Sequence, residues 1–288
     1  MILSRLRIAL FMVAAAAALA ACGNHTARAP NPTGYEWPDS FAYRIDYVSD
    51  VQGNGRTLLR FVESKRLNVF LRDQQYLAWH DSVLKTSHIP GGLLSALPHS
   101  PEDTLVYYLR LGRYGDVTDV QLGCDPAVPQ CADALPSLIR LELRKILPRL
   151  SVWAAPRGGW WVDTLFWDDA PRPRGARGTV VTTYTAARDT TIAGRGYWMV
   201  GWTSVRQAFR RADPRGPAGM LAETPVRETG VTFVDKCRLL PVYSTWAGAV
   251  TIPEQLRALG ATAEGFRGRA YLVGTRFDSV FAQEGIER

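Results

Sequence analysis

The chain has 288 residues, 47% of them hydrophobic and 21% charged, with a formal net charge of +7. Only four basic residues are lysines (Lys65, Lys85, Lys145 and Lys236). The arginines are spread among acids with no block of five or more like charges, which argues against a nucleic-acid partner and leaves a mild attraction to anionic lipid or glycan. The length suits one large β-rich domain or two small ones.

The N-terminus, MILSRLRIALFMVAAAAALAACGNH, sets Arg5 and Arg7 ahead of an uncharged apolar run from Ile8 to Ala21. An apolar stretch of about 14 residues falls short of the roughly 20 that span a bilayer, so residues 1–21 read as a secretory signal peptide and not as a transmembrane anchor. The run ends Leu19-Ala20-Ala21-Cys22, which resembles the lipobox of bacterial lipoproteins. The resemblance implies that the Cys22 thiol receives a diacylglyceryl group, that cleavage falls just before it, and that the new amino group is acylated, with palmitate as the type of chain. Two or more chains anchor stably, at about 0.8 kcal/mol per buried CH₂. Gly23 stands where an aspartate would mark inner-membrane retention, so the resemblance points to the outer membrane, facing the periplasm. Residues 22–39 then read as the lipidated cysteine and a Pro/Gly/Asn-rich flexible tether.

From Ser40 to residue 288 a single β-rich domain is expected. In SFAYRIDYVS, Phe41, Tyr43, Ile45 and Tyr47 share one face and Arg44 and Asp46 the other, the period of a half-buried strand. DVQGNG reads as a hairpin turn into RTLLRFVES. RLNVFLRD and QYLAWH follow as strands, and DTLVYYLRLG and VTDVQLG form a hairpin around Gly115-Asp116. One helix is expected at about 131–150: Leu135, Leu138, Ile139, Glu142, Ile146 and Leu150 recur at three and four, with Pro136 in the first turn and Pro148 near the end. Strands resume at GWWVDTLFW and continue through GTVVTTYTAA, GYWMVGWTSV, LAETPVRETG, VTFVDK, RLLPVYSTWAGAVTI and GRAYLVGTRF, with a short helix over 253–259. Roughly ten strands and so few helices imply a mainly β (α+β) fold. The expected arrangement is a strongly curved antiparallel sheet or a two-sheet sandwich or half-barrel, with one amphipathic helix packed on it. At the level of architecture this resembles the half-barrel of lipoprotein carriers.

Cys124 and Cys131 lie in GCDPAVPQC, a tight loop that suits a local disulfide in an oxidising compartment, and Cys237 is left as a buried unpaired thiol. Trp160, Trp161, Trp167, Trp198 and Trp202 are the candidate ligand-facing residues. In GGWWVDTLFWDDAP both strand faces are largely apolar, as in a strand covered on each side, and Trp160 and Trp161 are then both fold-supporting. Asp163 is the polar exception. With Asp119, Asp133 or Glu142 it could form the carboxylate pair of a glycan hydrolase, the competing reading. His80, Asp81 and His88 are close in sequence but lack a helical metal-binding pair. No Gly-x-Ser-x-Gly elbow, Walker loop or dinucleotide fingerprint occurs. No catalytic residue, metal or cofactor is assigned. The expected partners are the membrane, through lipid at Cys22, and an apolar ligand or an envelope protein.

Overall fold

The computed structural model describes residues 34–88, 95–96, 105–124, 136–150, 159–168, 176–192, 194–211, 220–222, 225–250 and 260–275, with a few isolated positions besides. The strands are β1 (Ser40–Gly53), β2 (Arg56–Arg72), β3 (Gln75–His88), β4 (Ser95–Ala96), β5 (Val106–Leu111) and β6 (Val117–Leu122). After helix α1 (Pro136–Ile146) come β7 (Trp160–Asp168), β8 (Ala176–Ile192), β9 (Arg195–Arg211), β10 (Met220–Ala222), β11 (Val226–Asp235), β12 (Leu240–Val250) and β13 (Ala263–Leu272). They form one 13-stranded sheet in the order β6-β5-β3-β2-β1-β13-β12-β11-β9-β8-β7, with β10 beside β9 and β4 beside β3. The sheet does not close, and β6 and β7 are the two ends of this path.

Local chemistry accounts for the hairpins. Asn54 (φ 51°) and Gly55 (φ 71°) supply the two left-handed positions of the β1–β2 turn. Along β1, Tyr43 and Ile45 are buried on the concave face. Asp46, expected to face water on the other side, is also buried, where Ser64 (2.8 Å) and Arg269 (3.1 Å) hydrogen-bond its carboxylate. The helix is shorter than the expected 131–150. It spans Pro136–Ile146, and residues 131–135 lie outside the described segments. It stops because Pro148 brings no N–H and disfavours helical geometry at Leu147. The short helix expected at 253–259 lies mostly outside the described residues.

The curvature follows from what the helix touches. Lys65 of β2 meets Glu142 (2.7 Å), Lys145 meets Glu228 of β11 (2.8 Å), and Arg144 pairs with Asp163 of β7. Strands so far apart in the sheet order can reach one short helix only if the sheet curls around it. Arg149, just beyond the helix, spans the gap between the edges. Its Nε binds Asp116 at the β5–β6 turn (2.7 Å) and its Nη1 binds Asp163 on β7 (2.6 Å). Residues 34–39, read from sequence as tether, belong to the domain. Tyr35 is buried, its N–H donates to the Arg113 carbonyl (2.6 Å) and its hydroxyl to the Pro148 carbonyl (2.7 Å).

The reading of β7 as covered on both faces is corrected. Trp160 is 70% exposed and Phe166 69%, and Val162 between them is also exposed. The helix packs on the other face of the sheet, and among the described residues nothing covers this one. Truncating Trp160 therefore removes little buried surface. Cys237 is also corrected. It is disulfide-bonded, as is Cys124, and no described cysteine is a free thiol. Cys22 and Cys131 lie outside the described residues, so the Cys124–Cys131 pairing remains an expectation.

One register row explains the interior. Trp161, Tyr184, Trp202, Gly230, Trp246, Gly268, Tyr47 and Glu63 stand opposite one another from β7 to β2. A Cβ on Gly230 would lie 2.3 Å from the Trp202 ring, and a Cβ on Gly268 would lie 2.3 Å from the Trp246 ring. Each indole lies flat across the glycine of the next strand. Gly230 sits inside β11, so VRETG and VTFVDK, read as separate strands, are one. We predict that Gly230→Val destabilises the fold by about 3 kcal/mol through overpacking. Adding Trp202→Leu should recover part of that loss, and urea denaturation of the two single variants and the double would measure the coupling.

Candidate functional site

Between α1 and the concave face lies a cavity of ≈ 360 Å³, within the usual range of small-ligand sites. Its floor is the row just described. Trp202 and Trp246 lie on their glycines, and Phe266 rests in the same way over Gly248. Ile45, Val180 and Val250 extend the apolar surface, and the helix contributes Leu138 and Leu141. The indole N–H groups of Trp202 and Trp246 are buried without a hydrogen-bond acceptor.

The walls are charged. Four carboxylates (Glu63, Glu142, Glu228 and Glu264) face four cations (Lys65, Arg144, Lys145 and Arg206). Much of this charge is spent internally. Lys65 binds Glu142 at 2.7 Å and lies 3.5 Å from Glu63. Lys145 binds Glu228 at 2.8 Å and sits over the Phe266 and Trp246 rings, 5.4 and 5.9 Å from their centroids. Ser244 donates to the Lys145 carbonyl (2.6 Å), fastening the last helical turn to β12. Burial would raise the Glu142 carboxyl, but Lys65, His80 and Lys145 outweigh it and hold its pKa below the ordinary 4.5. Burial, then the carboxylates of Glu264, Glu228 and Glu63, pushes the Tyr47 phenol up, so it stays protonated and can donate a hydrogen bond.

The sequence candidates separate on this geometry. Trp202 is on the cavity floor. Trp161 continues the same row, stacked on Tyr184 with centroids 5.2 Å apart, and donates to the Arg149 carbonyl (2.8 Å). Trp167 lies over Gly178, and Trp198 packs against the main core. Trp160 faces away from the interior.

Asp163 is buried and engaged by both Arg144 and Arg149, so it ties an edge strand to the helix. Its proposed partners are committed elsewhere. Asp119 sits 3.4 Å from Arg110 and Glu142 is held by Lys65, while Asp133 lies outside the described residues. Strand alternation sends His80 inward, 4.0 Å from Glu142, and Asp81 outward to Asn68 (2.7 Å). His88 is eight positions along the same strand, roughly 26 Å away.

The residues that sequence reasoning missed are Lys65, Glu63, Glu228, Glu264, Arg206 and Trp246. A signal existed for one of them, Lys65, through its partner Glu142. Glu142 was the one polar residue on an otherwise apolar helix stripe, and Lys65 is in register with the concave residue Ile45. A charge on each of two inward faces calls for a partner.

No family model matches the chain, and no characterised protein matches it in sequence. Among solved structures it is similar to a lipovitellin chain described for its lipid–protein interactions, at 12% identity and a TM-score of 0.48 over 83% of this chain and 25% of that one. It thus spans about a quarter of that protein's length. It is also similar to the hypothetical lipoprotein YmcC of Escherichia coli K12 (15% identity, TM-score 0.24, 81% of this chain and 84% of that one). A LolA-superfamily protein of Nitrosomonas europaea gives 8% identity, a TM-score of 0.21, and coverage of 84% and 87%. Superpositions this loose establish no family, and the site is read from its own residues.

The Glu142 pair has a pH signature. A carboxyl whose folded pKa is depressed stabilises the fold above its unfolded pKa and loses that contribution as pH falls through the folded value. Stability should therefore drop below pH 4.5, the ordinary value for Glu142, and Glu142→Gln should flatten that drop. At neutral pH the same variant removes the shorter carboxylate contact of Lys65, which is only 9% exposed and keeps Glu63 at 3.5 Å, and should cost about 2 kcal/mol. Urea melts across pH check both signs.

Proposed function

We propose that the protein is a lipid-anchored domain of the bacterial envelope that binds an apolar or amphiphilic ligand without transforming it. The observation that carries this reading is the floor of the cavity. Two indole faces and a phenyl ring are laid flat on glycines beneath the helix, with two buried N–H donors lacking an acceptor. The apolar body of a ligand would cover these rings. On the charged walls Lys65 and Glu142, and Lys145 and Glu228, neutralise each other, and Glu264 accepts a hydrogen bond from Ser49 (3.1 Å). These walls select for a ligand with a polar end.

The anchor rests on the Leu19-Ala20-Ala21-Cys22 motif behind a short charged signal, and the outer membrane, facing the periplasm, is the location it favours. Cysteine arithmetic bears on it. With Cys124 and Cys237 both disulfide-bonded, lipid on the Cys22 thiol requires those two to pair with each other and leaves Cys131 free, whereas a Cys124–Cys131 pair would put Cys237 on Cys22 and exclude the lipid.

The cavity is tested with N-phenyl-1-naphthylamine, whose fluorescence rises in apolar surroundings. The parent should bind it saturably. Ser204→Phe, on the concave face of β9 and lining the cavity, should weaken binding about tenfold, equal to about 1.4 kcal/mol. Unchanged binding by a normally folded Ser204→Phe protein would remove the cavity from the proposal. The anchor is tested by labelling with a radioactive fatty acid in a Gram-negative host. Cys22→Ser should abolish the label and leave unprocessed precursor. Non-reducing peptide mass spectrometry of the same material should find one disulfide and one free thiol among Cys124, Cys131 and Cys237. A disulfide at Cys22 would contradict lipid on its sulfur.

A further inference from the structure

The convex side of β7 is an apolar surface that the domain leaves uncovered. Trp160, Val162 and Phe166 project from it, and Val181 of β8 stands beside them opposite Thr164. The β8 neighbours opposite Trp160, Val162 and Phe166 are Thr185, Thr183 and Thr179. From Trp160 to Phe166 this face carries no charge, because Asp163 alternates inward to its arginines. The flanking sequence is basic: Arg157 precedes the strand and Arg172, Arg174 and Arg177 follow it, against Asp168 and Asp169.

The place where the chain leaves the described domain lies beside the β5–β6 turn, across the gap that Arg149 spans to β7. Gly34 packs against Arg113, and Tyr35 bonds to Arg113 and Pro148. The Leu150 N–H donates to the Tyr114 carbonyl (2.7 Å), and Trp161 donates to Arg149 (2.8 Å). Two short contacts thus connect Gly34 to the start of β7. Eleven residues lie between Cys22 and Gly34, a span of at most about 40 Å fully extended.

We propose that the convex face of β7 and β8 docks on the surface of the lipid bilayer that holds the N-terminal anchor, with Trp160 and Phe166 at the headgroup level. This rests on the anchored reading above. Tryptophan favours that depth because its ring is apolar and its N–H is polar. Arg177, exposed at the foot of the face, complements anionic headgroups within a Debye length. The tether raises the local concentration of the face at the bilayer, so a weak patch suffices as the second contact. Docked this way, the domain is held in one orientation against the membrane instead of swinging on its tether.

The test uses the full chain purified from host membranes and reconstituted into vesicles of phosphatidylethanolamine and phosphatidylglycerol brominated near the headgroup. Bromine should quench the tryptophan emission of the parent. Trp160→Phe should lose most of that quenching, because the other described tryptophans are at least partly buried. Phe166→Asp should lower it with Trp160 still in place, and vesicles of phosphatidylcholine alone should quench less. Equal quenching in the parent and Trp160→Phe would overturn the proposal. So would a Trp160 shielded from bromine in a protein that sediments as a dimer, which would give the face to a second copy. Fatty-acid label on the same preparation reads the anchor separately. Label with no Trp160-dependent quenching rejects the docking face alone, and Trp160-dependent quenching without label rejects the anchor alone.

Discussion

An indole ring can lie flat on a β-sheet only where the neighbouring strand carries no Cβ beneath it. Gly230 and Gly268 meet that condition under Trp202 and Trp246, each with a hypothetical Cβ 2.3 Å from the ring. The interior depends on this. Upright rings would occupy the space that α1 and the cavity share. Flat rings make a broad floor, bring Phe266 and Trp246 under the Lys145 ammonium, and leave room for a helix within reach of strands on both sides of the sheet.

Charge then fixes the helix above that floor. Glu142 reaches Lys65, Lys145 reaches Glu228, and Arg144 reaches Asp163, so three strands far apart in the sheet order hold three successive helical positions or their near neighbours. Such pairs gain little over apolar packing when buried, but breaking one strands its partner. Their value here is registry: they specify which helical face meets the sheet. Arg149 extends the arrangement across the open side, joining Asp116 to Asp163. It ties the two end strands together without closing a barrel, and the helix and residues 147–150 stand where further strands would otherwise be needed.

The same economy of charge shapes the functional argument. A hydrolase needs a carboxylate free to change its protonation and a second one placed across the substrate. Asp163 is paired with Arg144 and Arg149, and Glu142, against the effect of its own burial, is held below its ordinary pKa chiefly by Lys65, which suits structural ties. The floor of the cavity is aromatic, whereas its walls carry charge. On the outside, the apolar face of β7 is exposed, and no described residue covers it.

Much of the architecture was readable from local pattern. The alternation of β1, the Asn54-Gly55 turn, the three-and-four spacing of α1 and the stop at Pro148 all rest on interactions within a few residues, and sequence order preserves those. Gly230 was misread because a glycine in a strand looks like an interruption until the ring from the next strand is seen above it. Trp160 and Trp161 were indistinguishable in sequence, both large and apolar on a strand with two greasy faces. Only the placement of the helix on one side of the sheet decided that one face is wet and the other packed. Lys65 and Glu142 lie 77 positions apart, and Asp163 meets arginines that belong to the helix preceding it. Composition and periodicity determined that the chain would form a curved antiparallel sheet with one helix. Which charges neutralise each other, which aromatic rings line a cavity and which face is left open depended on strand order, because those contacts join residues that no local period relates.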